Sequence, residues 1–257
     1  MAREFLIRPL ELGDRQAVRD ICIAAAWMGE QSSGHIPDGW TWAEFWTRYF
    51  TDRERAHSWV AARRDVPSGG TGAGDAGTGS TGAGDAGKGD VGAGGADVTI
   101  GYLTGTPDAA AADRYCRRRL PGIAWHVLAR GLLLRRRPRR AFGGMLRAML
   151  SGQLDLPEGV ARNCPATFHM NLLAEARGKG LGKRLFAEFR AQMESLGCGG
   201  IHAQPMSINE PIRRFLASQG FRQIASRPCR AFAHAEPRPI EIQTWILPLE
   251  SPPRRPV

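Results

Sequence analysis

Between Arg177 and Lys183 the sequence reads RGKGLGK, with Gly178, Gly180 and Gly182 alternating with Lys179, Leu181 and Lys183. Such a run does chemistry only if its neighbours hold it in place. Upstream, PATFHMNLL (165–173) alternates in polarity and opens on a proline, which predicts a strand. Downstream, Leu181, Leu185, Phe186, Phe189, Met193 and Leu196 keep the spacing of one helical face. A strand that feeds a short glycine turn into a helix start makes an anion site. The first helical N–H groups lack internal partners, the helix dipole adds partial positive charge, and glycine lets a phosphate approach the main chain. With three cationic side chains at the same spot, the stretch reads as a pyrophosphate cradle.

Other glycine patterns fail the same test of context. Residues 67–96 hold thirteen glycines in thirty positions, and TGAGDAGTGS (71–80) is nearly repeated by TGAGDAGKGD (81–90). Gly72, Gly74 and Gly77 match a dinucleotide fingerprint, as do Gly82, Gly84 and Gly87, and Gly82 with Gly87 and Lys88 imitates most of a P-loop. Each motif needs a buried strand before it and a helix after it, and neither flank is present. Gly89 also stands where a P-loop needs Ser or Thr for magnesium. The segment is expected to be a mobile hairpin extension.

A length of 257 residues, 42% hydrophobic and 23% charged, suits one enlarged globular domain spanning 1–257. The formal charge of +10 is uneven: residues 107–162 carry twelve arginines against four acids. That field suits nucleic acid, anionic lipid or an acidic nucleotide cofactor, although charge runs are most often solvated surface. Three lysines accompany 32 arginines, a skew typical of GC-rich coding sequence, which weakens any argument from arginine number. Cys22, Cys116, Cys164, Cys198 and Cys229 are scattered and form no CxxC pair, which suits a reducing compartment and offers no metal-ligand pattern. The N-terminus has no apolar run of signal-peptide length, and IAWHVLARGLLL is too short to span a bilayer. A soluble, cytoplasmic protein with no membrane partner is expected.

The elements that must position the cradle follow in chain order. Strands are expected at 4–9, 57–64 and 98–104, the last two as antiparallel partners, and helices at 12–28 and 41–51. The second helix is rich in aromatic residues: Trp42, Phe45, Trp46 and Tyr49, with Trp27 and Trp40 nearby. These residues pack a core or wall a substrate pocket. Residues 107–162 read as an Arg-rich helical insertion, broken by Pro121 and Pro138, with Leu128, Leu132 and Leu133 apolar beside a basic face. Further on, 200–204 reads as a strand, 208–219 as a helix ended by Gly220, and 221–232 and 240–249 as strands, before a disordered SPPRRPV tail.

On these residues the sequence resembles the GNAT superfamily of acyl-CoA-dependent N-acetyltransferases. Their motif of Arg or Gln, two residues, Gly, one residue, then Gly or Ala is matched by Arg177 to Gly182. A second element is matched by Asn209, Phe215, Gly220 and Phe221. PATFHMNLLAEARGKGLG and GYLTGTPD are similar to a bacterial subgroup related to the acetyltransferase-like domain of O-GlcNAc hydrolases. The resemblance covers about two thirds of the chain, leaving out 67–96 and most of 107–162. It implies an α/β (α+β) fold with a mixed, twisted central sheet flanked by helices, whose fourth and fifth strands splay to admit acetyl-CoA. Main-chain groups from Met170 through Leu172 to Leu173 would then pair with the pantetheine arm. The N–H groups of Gly178, Lys179, Gly180, Leu181, Gly182 and Lys183 would hold the pyrophosphate beside Arg177. Asn209, with Phe215 on the same helix, would approach from the other side.

The implied reaction is attack by a primary amine of a small molecule or protein on the thioester. An alkylammonium has a pKa of about 10, so a base or a water chain must take its proton. A main-chain N–H near Met170 would stabilise the oxyanion. The tyrosine that often protonates the leaving thiolate should follow Phe215, and Leu216 stands there instead. The strand face bearing Ala166, Phe168 and Met170 offers no ionising side chain; His169 alternates to the opposite face with Thr167 and Asn171. His202 and Glu30 are the remaining candidates, each as well read as an ordinary structural or surface residue. Three readings therefore stand: an active acetyltransferase, a catalytically impaired acyl-CoA-binding module, and an interaction or nucleic-acid-binding protein acting through the Arg-rich insertion.

Overall fold

The computed structural model describes residues 2–27, 38–66, 97–234 and 236–250. The alternating segments become seven strands: β1 (Ala2–Pro9), β2 (Ser58–Val66), β3 (Val98–Thr106), β4 (Ala166–Leu172), β5 (Gly200–Ala203), β6 (Arg222–Cys229) and β7 (Ile240–Pro248). Their order in one sheet is β1-β2-β3-β4-β5-β7-β6. Every neighbouring pair is antiparallel except β4 and β5. The helices are α1 (Arg15–Ala24), α2 (Gly39–Asp52), α3 (Ala109–Ala129), α4 (Arg136–Leu150), α5 (Val160–Asn163), α6 (Leu181–Ser195) and α7 (Glu210–Ser218).

The parallel pair is the weak seam of the sheet. β4 and β5 share two registered pairs, Ala166 with Ile201 and Thr167 with His202. Beyond them each strand follows its other neighbour. β4 stays with β3 as far as Leu172 opposite Gly101. The chain leaving β5 stays with β7: Pro205 C=O accepts from Gln243 N–H (3.0 Å), and Met206 bridges to Ile242. The sheet divides here into a β1–β4 half and a β5–β7–β6 half.

Both faces are covered. Phe168, Met170 and Leu172 of β4 pack on Leu185, Phe186 and Phe189 of α6 and on Leu216 of α7. On the other face Val18, Ile21 and Cys22 of α1 pack on Val60 and Tyr102, with Trp42 and Trp46 of α2 against them. Two glycines of β3 make the first face fit. A Cβ on Gly101 would lie 2.3 Å from a Leu172 methyl, and one on Gly105 2.3 Å from the Phe189 ring.

The helical segment between β3 and β4 departs from the sequence reading. Pro121 lies inside α3 without ending it, and Pro138 lies in the first turn of α4, where no intrahelical N–H bond is lost. The break falls instead at Gly131, which is left-handed (φ 61°). α3 is tied to the first two helices by one buried carboxylate: Glu44 of α2 meets Arg19 of α1 at 2.9 Å, Arg48 at 2.6 Å and Arg119 of α3 at 3.9 Å. Other boundaries also shift. Helix 12–28 resolves into a 3-10 turn at Leu12–Asp14 followed by α1, because Asp14 turns back to Arg8 and to the Glu11 N–H. The strand expected over 221–232 stops at Cys229, where Ala231 and Phe232 enter a turn packed beneath α4. Residues 67–96, the terminal SPPRRPV and Glu30 lie outside the described residues, although β2 and β3 are antiparallel neighbours as a hairpin requires.

Gly105→Ala should therefore destabilise the protein by about 1–3 kcal/mol, because the Phe189 ring is buried and has nowhere to move. The midpoint of urea unfolding measures this, and an unchanged midpoint would show the packing to be looser than described.

Candidate active site

The site is built where the two halves of the sheet part. Main-chain direction along β4 is fixed by its bonds to β3. Leu173 N–H donates to Ile100 C=O (3.0 Å), and His169 C=O accepts from Thr104 Oγ1 (3.3 Å). Since successive residues alternate, 169, 171 and 173 point their main-chain groups toward β3, whereas Met170 and Leu172 point theirs into the opening. Of the four residues expected to offer main-chain groups there, Asn171 and Leu173 are thus turned away. Leu172 is half used, because Arg177 clasps its C=O through Nε (3.1 Å) and Nη2 (3.0 Å).

At the end of β4 a 3-10 turn, Ala174–Ala176, leads to the glycines. Gly178 and Gly180 are left-handed, at φ 72° and 73°, with open space where a Cβ would stand. Gly180 is the N-cap of α6 and supplies no side chain to cap it. The ladder of α6 begins with Arg184 N–H to Gly180 C=O (3.1 Å), so the N–H groups of Leu181, Gly182 and Lys183 precede it. Main-chain donors without intrahelical partners thus gather at a helix mouth, where Gly178, Lys179, Gly180 and Lys183 are exposed, Gly182 is half-buried and Leu181 is buried. The cations are arranged differently. Arg177 is turned back on β4, Lys179 Nζ sits 4.1 Å over the Phe5 ring, and Arg184, which the sequence did not single out, bonds Phe5 C=O (3.2 Å). Lys183 is exposed.

Across the opening, Asn209 caps α7, its side-chain oxygen accepting from Ile212 N–H at 3.4 Å. Phe215 packs edge-on against Phe186 (5.9 Å) and belongs to the contact between α6 and α7. Leu216 is fully buried among the phenylalanines and presents nothing to the opening.

The histidines have separate fates. His202 is buried at the base of the seam and its Nδ1 lies 2.6 Å from Cys164 C=O, so that nitrogen carries the proton and donates it. Burial lowers its pKa and the bond to Cys164 opposes that shift. His202 anchors the strand. His169 belongs to a polar network on the α1–α2 side of β4. Asn171 Nδ2 donates to the Tyr102 hydroxyl (2.9 Å), which lies 3.2 Å from His169 Nδ1, and the imidazole stacks on Trp46 (5.2 Å, 22°). The buried Cys22 thiol is a further hydrogen-bond partner of the Tyr102 hydroxyl. A row of rings continues from there, Trp46 to Trp42 (5.7 Å), Trp42 to Phe232 (6.5 Å) and Phe232 to Trp27 (5.7 Å). Tyr102 was missed from sequence; only its place in the alternation of β3, opposite Gly101 and Leu103, signals it.

Desolvation holds the His169 pKa down to about 4, against an ordinary 6.5. Between those values the unfolded chain binds the proton and the folded one does not, so stability must rise with pH across the window. The shift corresponds to roughly 3 kcal/mol at most. In His169→Gln the slope of unfolding free energy from pH 4 to 6.5 should be shallower, with His202 and, at the acid end, Asp14 and Asp97 contributing to what remains. Urea unfolding at a series of pH values checks this, and identical slopes would contradict a neutral His169.

No protein-family model matches the chain, and no curated protein matches its sequence. Solved structures do match. The protein named SsHAT superposes with a TM-score of 0.58 at 24% identity, covering 94% of this chain and 97% of that one. Polyamine N-acetyltransferase from Drosophila melanogaster gives 0.53 at 13% identity, covering 96% and 100%. The protein yncA from Salmonella typhimurium, a structure with its cofactor acetyl-CoA, gives 0.50 at 13% identity, covering 97% and 96%. At these identities the likeness establishes architecture. The seven-stranded mixed sheet flanked by helices has the fold of the GCN5-related N-acetyltransferases.

Proposed function

We propose that the protein transfers an acetyl group from acetyl-CoA to a primary amine. The observation that carries this reading is the coincidence of two features at one end of β4. Main-chain groups of Met170 and Leu172 face an opening in the sheet, and a helix mouth at Gly178–Lys183 lies directly beyond. A pantetheine arm laid in the opening would pair with Met170 on one side. The N–H groups from Gly178 to Lys183 would take the pyrophosphate, and the Asn209 amide NH2, left over from capping α7, would reach the arm from the other half-sheet. The structure of yncA with acetyl-CoA supports this choice of cosubstrate. The motifs PATFHMNLLAEARGKGLG and GYLTGTPD support the narrower placement beside the O-GlcNAc hydrolase-related subgroup.

In the transfer, the amine nitrogen bonds to the thioester carbon, the C–S bond breaks, and the thiolate takes up a proton. The Met170 N–H would stabilise the oxyanion, a contact worth roughly 3–4 kcal/mol in other enzymes. The amine would arrive from the α1–α2 side, past Trp46 and Trp42, whose π faces attract a cationic amine. His169 with a pKa of about 4 is too weak a base to hold an ammonium proton, so it lines the acceptor path and the proton leaves to water. Rate should then follow the free-amine fraction of the acceptor. A second reading is favoured by Leu216, which is 0% exposed and has no proton for the thiolate: acyl-CoA binding without turnover.

Gly180→Glu should abolish acetyl-CoA binding in calorimetry by placing bulk and negative charge at the helix mouth. Gly180→Ala carries the backbone strain without the charge and should bind more weakly but measurably. Undiminished affinity in Gly180→Glu would remove the cradle. Turnover against a panel of amines separates the two readings. In the active case, kcat/KM should climb with pH toward the acceptor's own pKa, and a plateau near pH 7 would point to a protein base instead.

A further inference from the structure

The outer side of α3 and α4 combines positive charge with exposed apolar groups. Residues 114–154 contain eleven arginines and no aspartate or glutamate. The solvent-facing stripe of α3 ends in Trp125, 73% exposed, and Leu128, 59% exposed. The left-handed turn at Gly131 then brings out Leu134, 90% exposed, with Arg135, Arg136 and Arg137 exposed immediately after it. Leu146 and Leu150 continue the apolar positions along the outer side of α4. The inner side of that helix is occupied: Gly144 abuts the Ala231 carbonyl, and Ala148 packs with Phe232 and Ile242.

Single exposed leucines are ordinary, but three large apolar groups around one turn, inside an acid-free run of arginines, are not. The occupant must satisfy both chemistries. Arg114, Arg117 and Arg119 have acidic partners in Asp108, Asp113 and Glu44, but a second copy meeting the same surface would still set Arg135, Arg136 and Arg137 against their own counterparts. A nucleic acid would neutralise the arginines but has no use for Leu134, Leu146 and Leu150. An anionic bilayer meets both demands: its phosphates take the guanidiniums, its acyl boundary takes the leucines, and an indole sits at headgroup level. We propose that the α3–α4 surface docks on anionic phospholipid membranes, inserting Trp125, Leu128 and Leu134. The mode is peripheral, since among the described residues no helix is long and apolar enough to cross a bilayer.

Flotation of the full-length protein with vesicles tests the proposal, using phosphatidylcholine alone and phosphatidylcholine mixed with phosphatidylglycerol. Recovery should occur with the mixed vesicles alone and fall as salt is raised. The double variant Trp125→Ser/Leu134→Ser keeps every charge and should lower partitioning by about tenfold or more. Its thermal melt should match the parent, because both side chains are exposed. The triple variant Arg135→Glu/Arg136→Glu/Arg137→Glu should not float at all. Absence of the parent from mixed vesicles at low salt would overturn the proposal, as would equal partitioning by the double variant. Binding of a DNA duplex without any vesicle binding would reassign the surface to nucleic acid and overturn it too.

Discussion

Two residue pairs hold the sheet together across its parallel seam, and the candidate site depends on their being so few. A longer β4–β5 ladder would consume the main-chain groups of Met170 and Leu172. A shorter one would let the half-sheets separate. The compromise is enforced from outside the seam. β3 holds β4 with a register that runs to Leu172, while β7 draws the chain beyond Ala203 onto itself through Pro205 and Met206. His202 and Thr167 fasten the joint, the first to Cys164 C=O and the second to His202 C=O (3.1 Å). An opening in a sheet normally costs unsatisfied backbone groups. Here Arg177 takes the Leu172 C=O, and the remaining main-chain groups of Met170 and Leu172 lie at the seam beside a helix mouth.

The two faces of β4 divide the remaining work. The face toward α6 is packed with phenylalanines and fixes where the strand ends, so that the glycine turn starts at the right height. Gly101 and Gly105 permit this by giving up their side-chain volume to Leu172 and Phe189. The opposite face is polar at its centre and aromatic at its border. The Tyr102 hydroxyl joins His169 and Asn171, and Trp46 stacks on the imidazole. Rigid packing on one side and a hydrogen-bonded network on the other suit a fold that grips one partner firmly and admits a second.

Much of this was legible from residue types. The glycine turn, the strand before it and the helix after it stand where periodicity and turn chemistry place them, because those signals are local. What needed three dimensions was whatever depends on distant partners. Pro121 looks like a break, yet α3 runs through it and gives way only at Gly131, whose left-handed conformation no L side chain favours. Arg177 looks from sequence like a simple phosphate ligand, and only the structure shows Nε and Nη2 of its guanidinium on the Leu172 carbonyl. His202 and His169 look alike in sequence, and only their neighbours separate them: one bonds the Cys164 carbonyl, the other stacks on Trp46 beside the Tyr102 hydroxyl. Leu173 falls on the wrong side of the alternation by one position, a distinction that required knowing which residue bonds Ile100. Tyr102 carried no motif.

The carboxylate of Glu44 has a consequence for how the molecule moves. Three guanidiniums from three helices converge on it, and each would repel the others without it. The cover formed by α3 is therefore latched by charge at that point, and α1 and α2 share the same latch. Substituting an amide would turn the hub into a cluster of like charges, loosening the helical roof while leaving the sheet beneath it intact. One acidic side chain thus fixes how three helices meet, a dependence on charge that the apolar layer on the α6 face does not share.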